Sequence, residues 1–167
     1  MIIKLFTHLK NTDLEAVSAY QTITELLHFS ALTGLSRKRL WELTVEETKE
    51  TKFQVQKVLS ESYYLSNPNK EKVYQDQPPP VVCGANEVVF LVLVSPTQKE
   101  SYENLRESLK NRFGLVCSKI QKSVLWELTI SKEAAITEEM LLRQVVLCSE
   151  KGILVNPLYE DYRLTRA

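Results

Sequence analysis

Glycine and histidine are scarce in this chain of 167 residues, which has four glycines and two histidines. No stretch has the glycine spacing of a phosphate-binding loop or of a nucleophile elbow. His8 and His28 have no cysteine or second histidine at the spacing of metal ligands, so we expect them to be surface or helix-capping residues. The sequence therefore gives no sign of an ordinary enzyme active site.

The chain also lacks an excess of charge, because 21 basic residues balance 21 acidic ones. We therefore expect no binding to nucleic acid or to an anionic membrane. The longest apolar run, residues 88–94, is too short to span a bilayer, and the N-terminus does not have the pattern of a secretory signal. The chain has three cysteines, Cys83, Cys117 and Cys148, which is an odd number. We expect them to be unpaired, as in proteins of a reducing compartment, and we therefore expect a cytoplasmic location.

One five-residue word, Leu-Trp-Glu-Leu-Thr, occurs at residues 40–44 and again at 125–129. Shifting the chain by 85 positions superimposes the two words, and it also places the apolar segment 2–6 on 87–91. Self-similarity of this kind is the signature of an internal repeat.

A second pair of matches follows a four-residue insertion in the later copy. The dipeptide Asn-Pro occurs at 67–68 and at 156–157, and a glutamate comes three residues after each, at Glu71 and Glu160. Two matches that flank one small insertion strengthen the prediction of a repeat.

The copies are separated by a proline-rich stretch, with Asp-Gln-Pro-Pro-Pro at residues 76–80. Three prolines in a row remove backbone donors and fix φ, so neither a helix nor an interior strand continues there. The sequence therefore predicts one unit at 1–75, a linker at 76–86 and a second unit at 87–167.

Both copies have the periodicities of strand, helix, strand, helix and strand. In the first copy the predicted elements are a strand at 1–8, a helix from a capping box at Thr12–Glu15 to Phe29, a strand at 37–46, a helix at 51–65 and a short strand after 67–68. In the second copy they are a strand at 87–94, a helix from a capping box at Ser95–Gln98, a strand at 116–131, a helix at 137–150 and a strand at 158–165.

Segments 32–36 and 114–119 fit either an extra strand or a loop. Each unit is thus predicted as β-α-β-(β)-α-β, an α+β, ferredoxin-like fold with helices on one face of an antiparallel sheet. In the repeated word, alternation places Trp41, Leu43 and Val45 on one side of the strand.

The second copy contains three short motifs in order, Glu127–Ile130, Asn156-Pro157 and Glu160–Arg163. Through these residues it resembles, along its whole length, the PurS subunit of phosphoribosylformylglycinamidine (FGAM) synthase. The first copy departs from the pattern, because Lys72–Tyr74 stands where Asp161, Tyr162 and Arg163 stand in the second. The order and spacing of these short motifs, seen twice, make the resemblance specific.

PurS subunits act as dimers, and the large single-chain form of the enzyme carries a fused pair. The resemblance thus implies that this chain is a fused pair, a pseudo-dimer of two tandem units. It implies a non-catalytic role in de novo purine biosynthesis, in which the chain bridges the glutaminase (PurQ-like) and the ATP-dependent synthetase (PurL-like) subunits for ammonia transfer. The complex is implied to use ATP, magnesium and glutamine, whereas this chain would hold no cofactor, metal or catalytic residue. Association of two such chains into a homodimer is a further alternative that the resemblance leaves open.

Residues 140–148 form a segment that is apolar nearly all round, so one face is expected to pack on its own sheet and another on a neighbour. Trp41 and Trp126 have two interpretations, as core anchors beneath the helices or as aromatic hot spots between the units. The predicted interface comprises Trp41, Trp126, Leu142, Val146, Asn156, Pro157, Tyr159, Glu160, Asp161, Tyr162 and Arg163.

Two rival functions are open. Paired ferredoxin-like units also serve as small-molecule sensors that bind an amino acid or a nucleotide at their joint, and fold alone does not separate a sensor from a scaffold. A stand-alone enzyme would need Glu42 and Glu127 as paired carboxylates in one cleft. Strand alternation places both opposite the tryptophans, which favours surface positions for them.

Overall fold

The computed structural model describes residues 1–98 and 100–167 of the chain, and it has six strands and four α-helices within these ranges. The strands are β1 (Ile2–Leu9), β2 (Leu32–Val45), β3 (Glu71–Gln75), β4 (Glu87–Pro96), β5 (Cys117–Ser131) and β6 (Glu160–Arg166). They form one antiparallel sheet in the order β3-β1-β2-β5-β4-β6. The predicted α+β class is confirmed.

Each half of the chain has a helix between its first two strands and another before its last strand. The helices are α1 (Leu14–Gln21), α2 (Thr51–Glu61), α3 (Glu103–Phe113) and α4 (Glu138–Leu141). Helix α1 continues into a π-helical turn at Thr22–Leu26, and α4 continues into another at Leu142–Val146. The helix predicted at 137–150 thus ends earlier, at Val146, and α2 ends at Glu61 instead of at residue 65.

Helix α1 begins one residue later than the predicted capping box implies. The N-cap is Asp13, whose carboxylate accepts hydrogen bonds from the backbone N–H groups of Glu15 and Ala16. Asp is as good an N-cap as Thr, because both offer a side-chain oxygen to the unpaired N–H groups of the first turn. The prediction that Thr12 caps the helix was therefore wrong by one position.

The capping box predicted at Ser95–Gln98 is also wrong. Strand β4 continues through Pro96, and helix α3 begins only at Glu103. The backbone N–H of Thr97 donates to the carbonyl oxygen of Tyr159 at 2.9 Å, so this segment is held beside the turn that precedes β6. Pairing of the backbone prevailed over the local capping signal.

The segment at 32–36 is neither a separate strand nor a loop, because β2 runs without a break from Leu32 to Val45. In the second half, residue 114 ends helix α3 and the long strand begins at Cys117. Gly114 has the left-handed backbone conformation that ends a helix, and His28 has the same conformation after the π-helical turn of the first half. His28 is thus a helix-end residue, as the sequence indicated.

The strand pairs β1–β2 and β4–β5 are in register at equivalent positions of the repeated word. Leu5 lies opposite Trp41 in the pair β1–β2, and Val92 lies opposite Trp126 in the pair β4–β5. The two tryptophans are 85 positions apart as predicted, but Leu5 and Val92 are 87 apart. The predicted alignment of 2–6 with 87–91 was therefore wrong by two residues, because a two-residue shift preserves the alternation of a strand.

The chain divides into two compact units, each built of three segments. Unit 1 comprises Met1–Asn11, Lys38–Pro79 and Lys99–Ser123, and unit 2 comprises Thr12–Arg37, Pro80–Gln98 and Val124–Ala167. Each unit takes segments from both repeats, so the boundaries differ from the domains predicted at 1–75 and 87–167. Helix α1 belongs to unit 2 and helix α3 to unit 1. The predicted linker, residues 76–86, contains neither helix nor strand.

The core of unit 1 joins side chains of β1, β2 and β5 to those of helices α2 and α3. It includes Trp41 and Leu43 of β2, with Leu109 of α3 among the fully buried residues. Each such leucine contributes about 1.5–3 kcal/mol by its burial. The other buried members are Ile3, Leu5, Val45, Val55, Val58, Leu65, Phe113, Leu115, Cys117 and Ile120.

The core of unit 2 joins β4 and β5 to helices α1 and α4 and their π-helical turns. Trp126 of β5, Val92 of β4 and Ile23 of the first π-helical turn are buried there together. Val145 and Val146 of the second π-helical turn are fully buried in the same core. In this unit strand β5 therefore shares a core with helix α1 of the first repeat as well as with α4 of the second.

Candidate functional site

Strand β6 and the turn before it contain most of the residues predicted to touch a partner. The backbone N–H of Asn156 donates to the Glu160 carboxylate at 2.7 Å, and the backbone N–H of Leu158 donates to the side-chain oxygen of Asn156 at 3.1 Å. An Asn side chain that bonds the backbone two residues on defines an Asx turn. Asn156 and Glu160 thus have a structural role in this turn.

The first repeat has the same turn with the same dimensions. The backbone N–H of Asn67 donates to the Glu71 carboxylate at 2.7 Å, and that of Asn69 donates to the side-chain oxygen of Asn67 at 3.1 Å. The sequence Asn-Pro-x-x-Glu therefore builds one local structure twice. Glu71 differs from Glu160 in being buried, where it also pairs with Arg39.

The tips of the two turns differ in chemistry. In the first repeat the tip carries Asn69 and Lys70, which are polar and exposed. In the second repeat the corresponding residues are Leu158 and Tyr159, which are 79% and 64% exposed. Because the polar tip folds equally well, the fold does not require an apolar one. Leu158 was missed in the sequence, and comparison of the two tips is the signal that finds it.

The exposed surface continues along β6, the last strand in the sheet order. Asp161, Tyr162 and Arg163 are exposed on this strand. Strand β6 pairs with β4 along one side, as in the pair of Tyr162 with Val94. An edge strand presents N–H and C=O groups to which a partner can add. We call Leu158, Tyr159, Asp161, Tyr162 and Arg163 the β6 surface.

Three of the residues predicted at an interface are buried instead. Trp41 is 6% exposed, Trp126 is 9% exposed and Val146 is inaccessible. The two tryptophans lie in the cores of units 1 and 2, which agrees with the interpretation of core anchors. Leu142, on the same π-helical turn as Val146, is only half-buried. Val145 and Val146, two consecutive residues of this wide π-helical turn, are both buried, whereas Met140 of the preceding helix is exposed.

A groove of about 450 Å³ lies over Trp126 in unit 2. Its walls come from one side of helix α1 and its π-helical turn, and Trp126 and Ile153 also contribute to it. The lining residues are Leu14, Glu15, Ser18, Ala19, Thr22, Trp126 and Ile153. We call this the Trp126 groove. The sequence prediction placed Trp126 correctly in the repeat but did not indicate an opening above it.

The carboxylates considered for catalysis have separate structural partners. Glu127 is buried in unit 2 and accepts a hydrogen bond from the Ser36 hydroxyl at 2.6 Å, which corrects its predicted surface position. Glu42 of unit 1 is half-buried and lies 3.5 Å from the Lys4 ammonium. Each carboxylate is accounted for by its own neighbours.

His8 and Cys117 are two further titratable residues that the sequence analysis considered. His8 stacks on Tyr74, with ring centroids 5.6 Å apart. Burial raises the pKa of the Cys117 thiol to about 11, so this thiol is protonated at neutral pH. Within residues 1–98 and 100–167, no cluster of three or more His, Cys, Asp or Glu side chains has the arrangement of a metal site. In the same ranges, no helix is long and apolar enough to cross a membrane.

Comparisons with family models, with curated proteins and with solved structures find no match for this chain.

Proposed function

We propose that this chain is a non-catalytic docking subunit, a PurS-like component of FGAM synthase. In this proposal the two repeats are ferredoxin-like units that form a pseudo-dimer within one polypeptide. The subunit bridges a PurQ-like glutaminase and a PurL-like synthetase so that ammonia passes between them. The complex uses ATP, magnesium and glutamine, and its reactive groups belong to the partner subunits.

The observation that carries the proposal is the apolar tip of the second turn. Leu158 and Tyr159 are exposed at positions where the first repeat has Asn69 and Lys70 on the same backbone. Exposed apolar and aromatic side chains that the fold does not require are typical of a protein interface. They adjoin the segment Glu160–Arg163, which also carries the PurS resemblance.

The composition of the compact units supports the pseudo-dimer. Helix α1 of the first repeat covers strands of the second, and helix α3 of the second covers strands of the first. Reciprocal exchange of one element is a common way for two identical protomers to associate. In a fused pair the same exchange occurs within one chain, at an effective concentration that does not depend on dilution.

The proposal is tested by mixing the chain with the separate synthetase and glutaminase subunits, glutamine and magnesium-ADP. A ternary complex on a sizing column is expected, and three separate peaks would reject the proposal. The double substitution Leu158→Asn with Tyr159→Lys converts the second tip into a copy of the first, which folds on the same turn.

This variant is expected to lose at least about tenfold in affinity for the partners, since two interface hot spots are removed. The control is Tyr63→Ala, because Tyr63 is an exposed aromatic residue of unit 1 outside the β6 surface. Equal affinity of the double variant and the wild type would show that the β6 surface does not bind the partners.

A further inference from the structure

In the described part of the chain, strand β6 has a neighbour on one side only, because it is the last strand in the order β3-β1-β2-β5-β4-β6. It pairs with β4 over all seven of its residues, Glu160–Arg166, in one continuous register. The other outer strand, β3, has five residues. Natural proteins protect sheet edges with proline, with bulges or by shortening the strand. The seven described residues of β6 include no proline and no bulge, so the open side of this strand can pair.

Hydrogen bonds at the two ends of β6 show which backbone groups face the open side. The backbone N–H of Thr97 donates to the carbonyl oxygen of Tyr159 at 2.9 Å, and that of Ala167 donates to the carbonyl oxygen of Val89 at 3.0 Å. In an antiparallel pair, residues that bond to one neighbour alternate with residues that face away from it. The odd-numbered residues of β6 therefore bond to β4, and the backbone groups of the even-numbered residues from 160 to 166 point to the open side.

The charges of β6 change sign along the strand. Its first two residues are Glu160 and Asp161, and its basic residues, Arg163 and Arg166, come later. When two copies of such a strand run antiparallel, the acidic end of each lies beside the basic end of the other. Opposite charges across a strand pair stabilise it, whereas like charges destabilise it. Strand β6 is therefore complementary in charge to a second copy of itself.

We propose that two copies of this chain associate through β6, so that their sheets join across a two-fold axis. Hydrogen bonds form between the strands only in registers that place open-side residues opposite each other. In the register that also pairs every residue of β6, Arg163 lies opposite Arg163 of the second copy. Tyr162 then lies opposite Leu164. Glu160 lies opposite Arg166, and the two-fold axis makes each of these unlike pairs occur twice.

This register is favourable on both faces of the strand. Tyr162 is 39% exposed, and Leu164 is on the same face, where it packs against the core of unit 2. Because residues directly opposite each other across a strand pair are in contact, each Tyr162 ring gains a Leu164 side chain beside it. On the other face, Asp161 of one copy lies diagonally across from Arg163 of the other, within reach of that long side chain. The two Arg163 charges are thus each accompanied by an acidic group.

The first test is analytical ultracentrifugation of the chain alone, so its outcome does not depend on the proposed enzyme complex or on Leu158 and Tyr159. One pair of strands forms a small interface, and we expect a reversible dimer with a Kd on the order of 10–100 µM, measured at concentrations on either side of that range. In the proposed register the exposed Thr165 lies opposite Asp161. Thr165→Lys should therefore lower the Kd about three- to tenfold, and Thr165→Asp should raise it by a similar factor.

The register itself is tested with cysteines, after Cys83→Ser and Cys148→Ser have removed the exposed thiols. Odd-numbered residues of β6 form the non-hydrogen-bonded pairs between the copies, in which Cα atoms about 4.5 Å apart suit a disulfide. With oxidised glutathione, Arg163→Cys should form a covalent dimer by itself. Asp161→Cys and Thr165→Cys should each remain without cross-links alone and should cross-link to each other when mixed.

A monomer at every concentration overturns the inference and would leave this edge to a strand of another protein. A dimer whose Kd does not change in the two Thr165 variants also overturns it, as does a dimer in which Arg163→Cys forms no cross-link. Circular dichroism of each variant establishes that it is folded, which we expect because residues 161, 163 and 165 are exposed.

Discussion

The guanidinium group of Arg37 lies over the Trp126 ring, 5.8 Å from its centroid, although the two residues come from different repeats. Lys122 and Trp41 reproduce the relationship in the other unit at 5.6 Å. Each cation is therefore contributed by the repeat that does not contain the tryptophan. The same exchange is seen in the helices α1 and α3.

The two cations are expected to differ in their contribution to stability. Arg37 also pairs with Asp13 at 3.1 Å and with Glu15, whereas Lys122 contacts the Trp41 ring from a half-buried position. Arg37→Met should lower the free energy of unfolding by about 1–2 kcal/mol, and Lys122→Met by about 0.5 kcal/mol. Urea denaturation of the two variants checks the order, and equal losses would contradict it.

Thr7 is expected to be a stabilising site when it is made apolar. Its hydroxyl group is buried and has no hydrogen-bond partner in the described part of the chain, while the corresponding residue of β4 is Val94. Thr7 lies opposite Arg39 and Val73, and Val94 lies opposite Val124 and Tyr162.

Thr7→Val should therefore raise the free energy of unfolding by about 1 kcal/mol, because an unsatisfied buried polar group costs about 1–3 kcal/mol. The reverse substitution Val94→Thr is the control and should lower it by a similar amount. A loss of stability in Thr7→Val, measured by thermal and urea unfolding, would show that the hydroxyl group has a partner such as a bound water.

Gly152 is expected to tolerate no side chain. A Cβ atom there would lie 2.5 Å from the backbone nitrogens of Leu147 and Val146 and from the carbonyl carbon of Val145. Since backbone atoms cannot move aside at low cost, Gly152→Ala should destabilise the protein by at least about 3 kcal/mol. Gly34→Ala is the matched control in the same unit, because its nearest neighbours are at 3.4 Å in ordinary contact. Its effect should be within about 1 kcal/mol of zero by urea unfolding.

The three thiols are expected to react at different rates. Cys83 and Cys148 are exposed, whereas Cys117 is buried in the core of unit 1 and its pKa is raised to about 11. At pH 8 a thiol reagent should modify Cys83 fastest, Cys148 more slowly because burial raises the pKa of its thiol, and Cys117 only on unfolding. Mass spectrometry of the labelled peptides identifies the slow residue, and rapid labelling of Cys117 would contradict its burial.

The same thiol makes stability depend on pH. The unfolded chain loses the Cys117 proton near its usual pKa of about 8.5, while the folded protein keeps it until the pH nears 11. The folded state binds more protons in this window, so stability should fall as the pH rises through it. The free energy of unfolding, measured by urea titration, should fall less between pH 8 and pH 10.5 in Cys117→Val than in the wild type.

The sequence was sufficient to predict the features that depend on local patterns. Alternation located the strand that contains Trp126. The Asn-Pro-x-x-Glu word marked equivalent positions of the two copies, and the structure shows that both positions are turns with matching hydrogen bonds. Helix starts were less reliable, since Asp13 and Thr12 both suit a cap and only the backbone geometry selects between them. The register of β4 was ambiguous because a shift by two residues leaves every side chain on its own face.

The exchange of α1 and α3 and the Trp126 groove were not predictable in the same way. Helical spacing identifies which side of a helix is apolar, but it does not specify which strands that side will cover. The groove depends on Ala19 facing a tryptophan from the other repeat, and no single repeat contains both residues. Only the tertiary structure brings them together.

The exchange of helices between the two halves also affects how this gene can change. A mutation in one half changes a core that also contains residues of the other half. Selection therefore acts on the two copies together. Neither copy can be lost, recombined or truncated alone without leaving both interiors open to solvent.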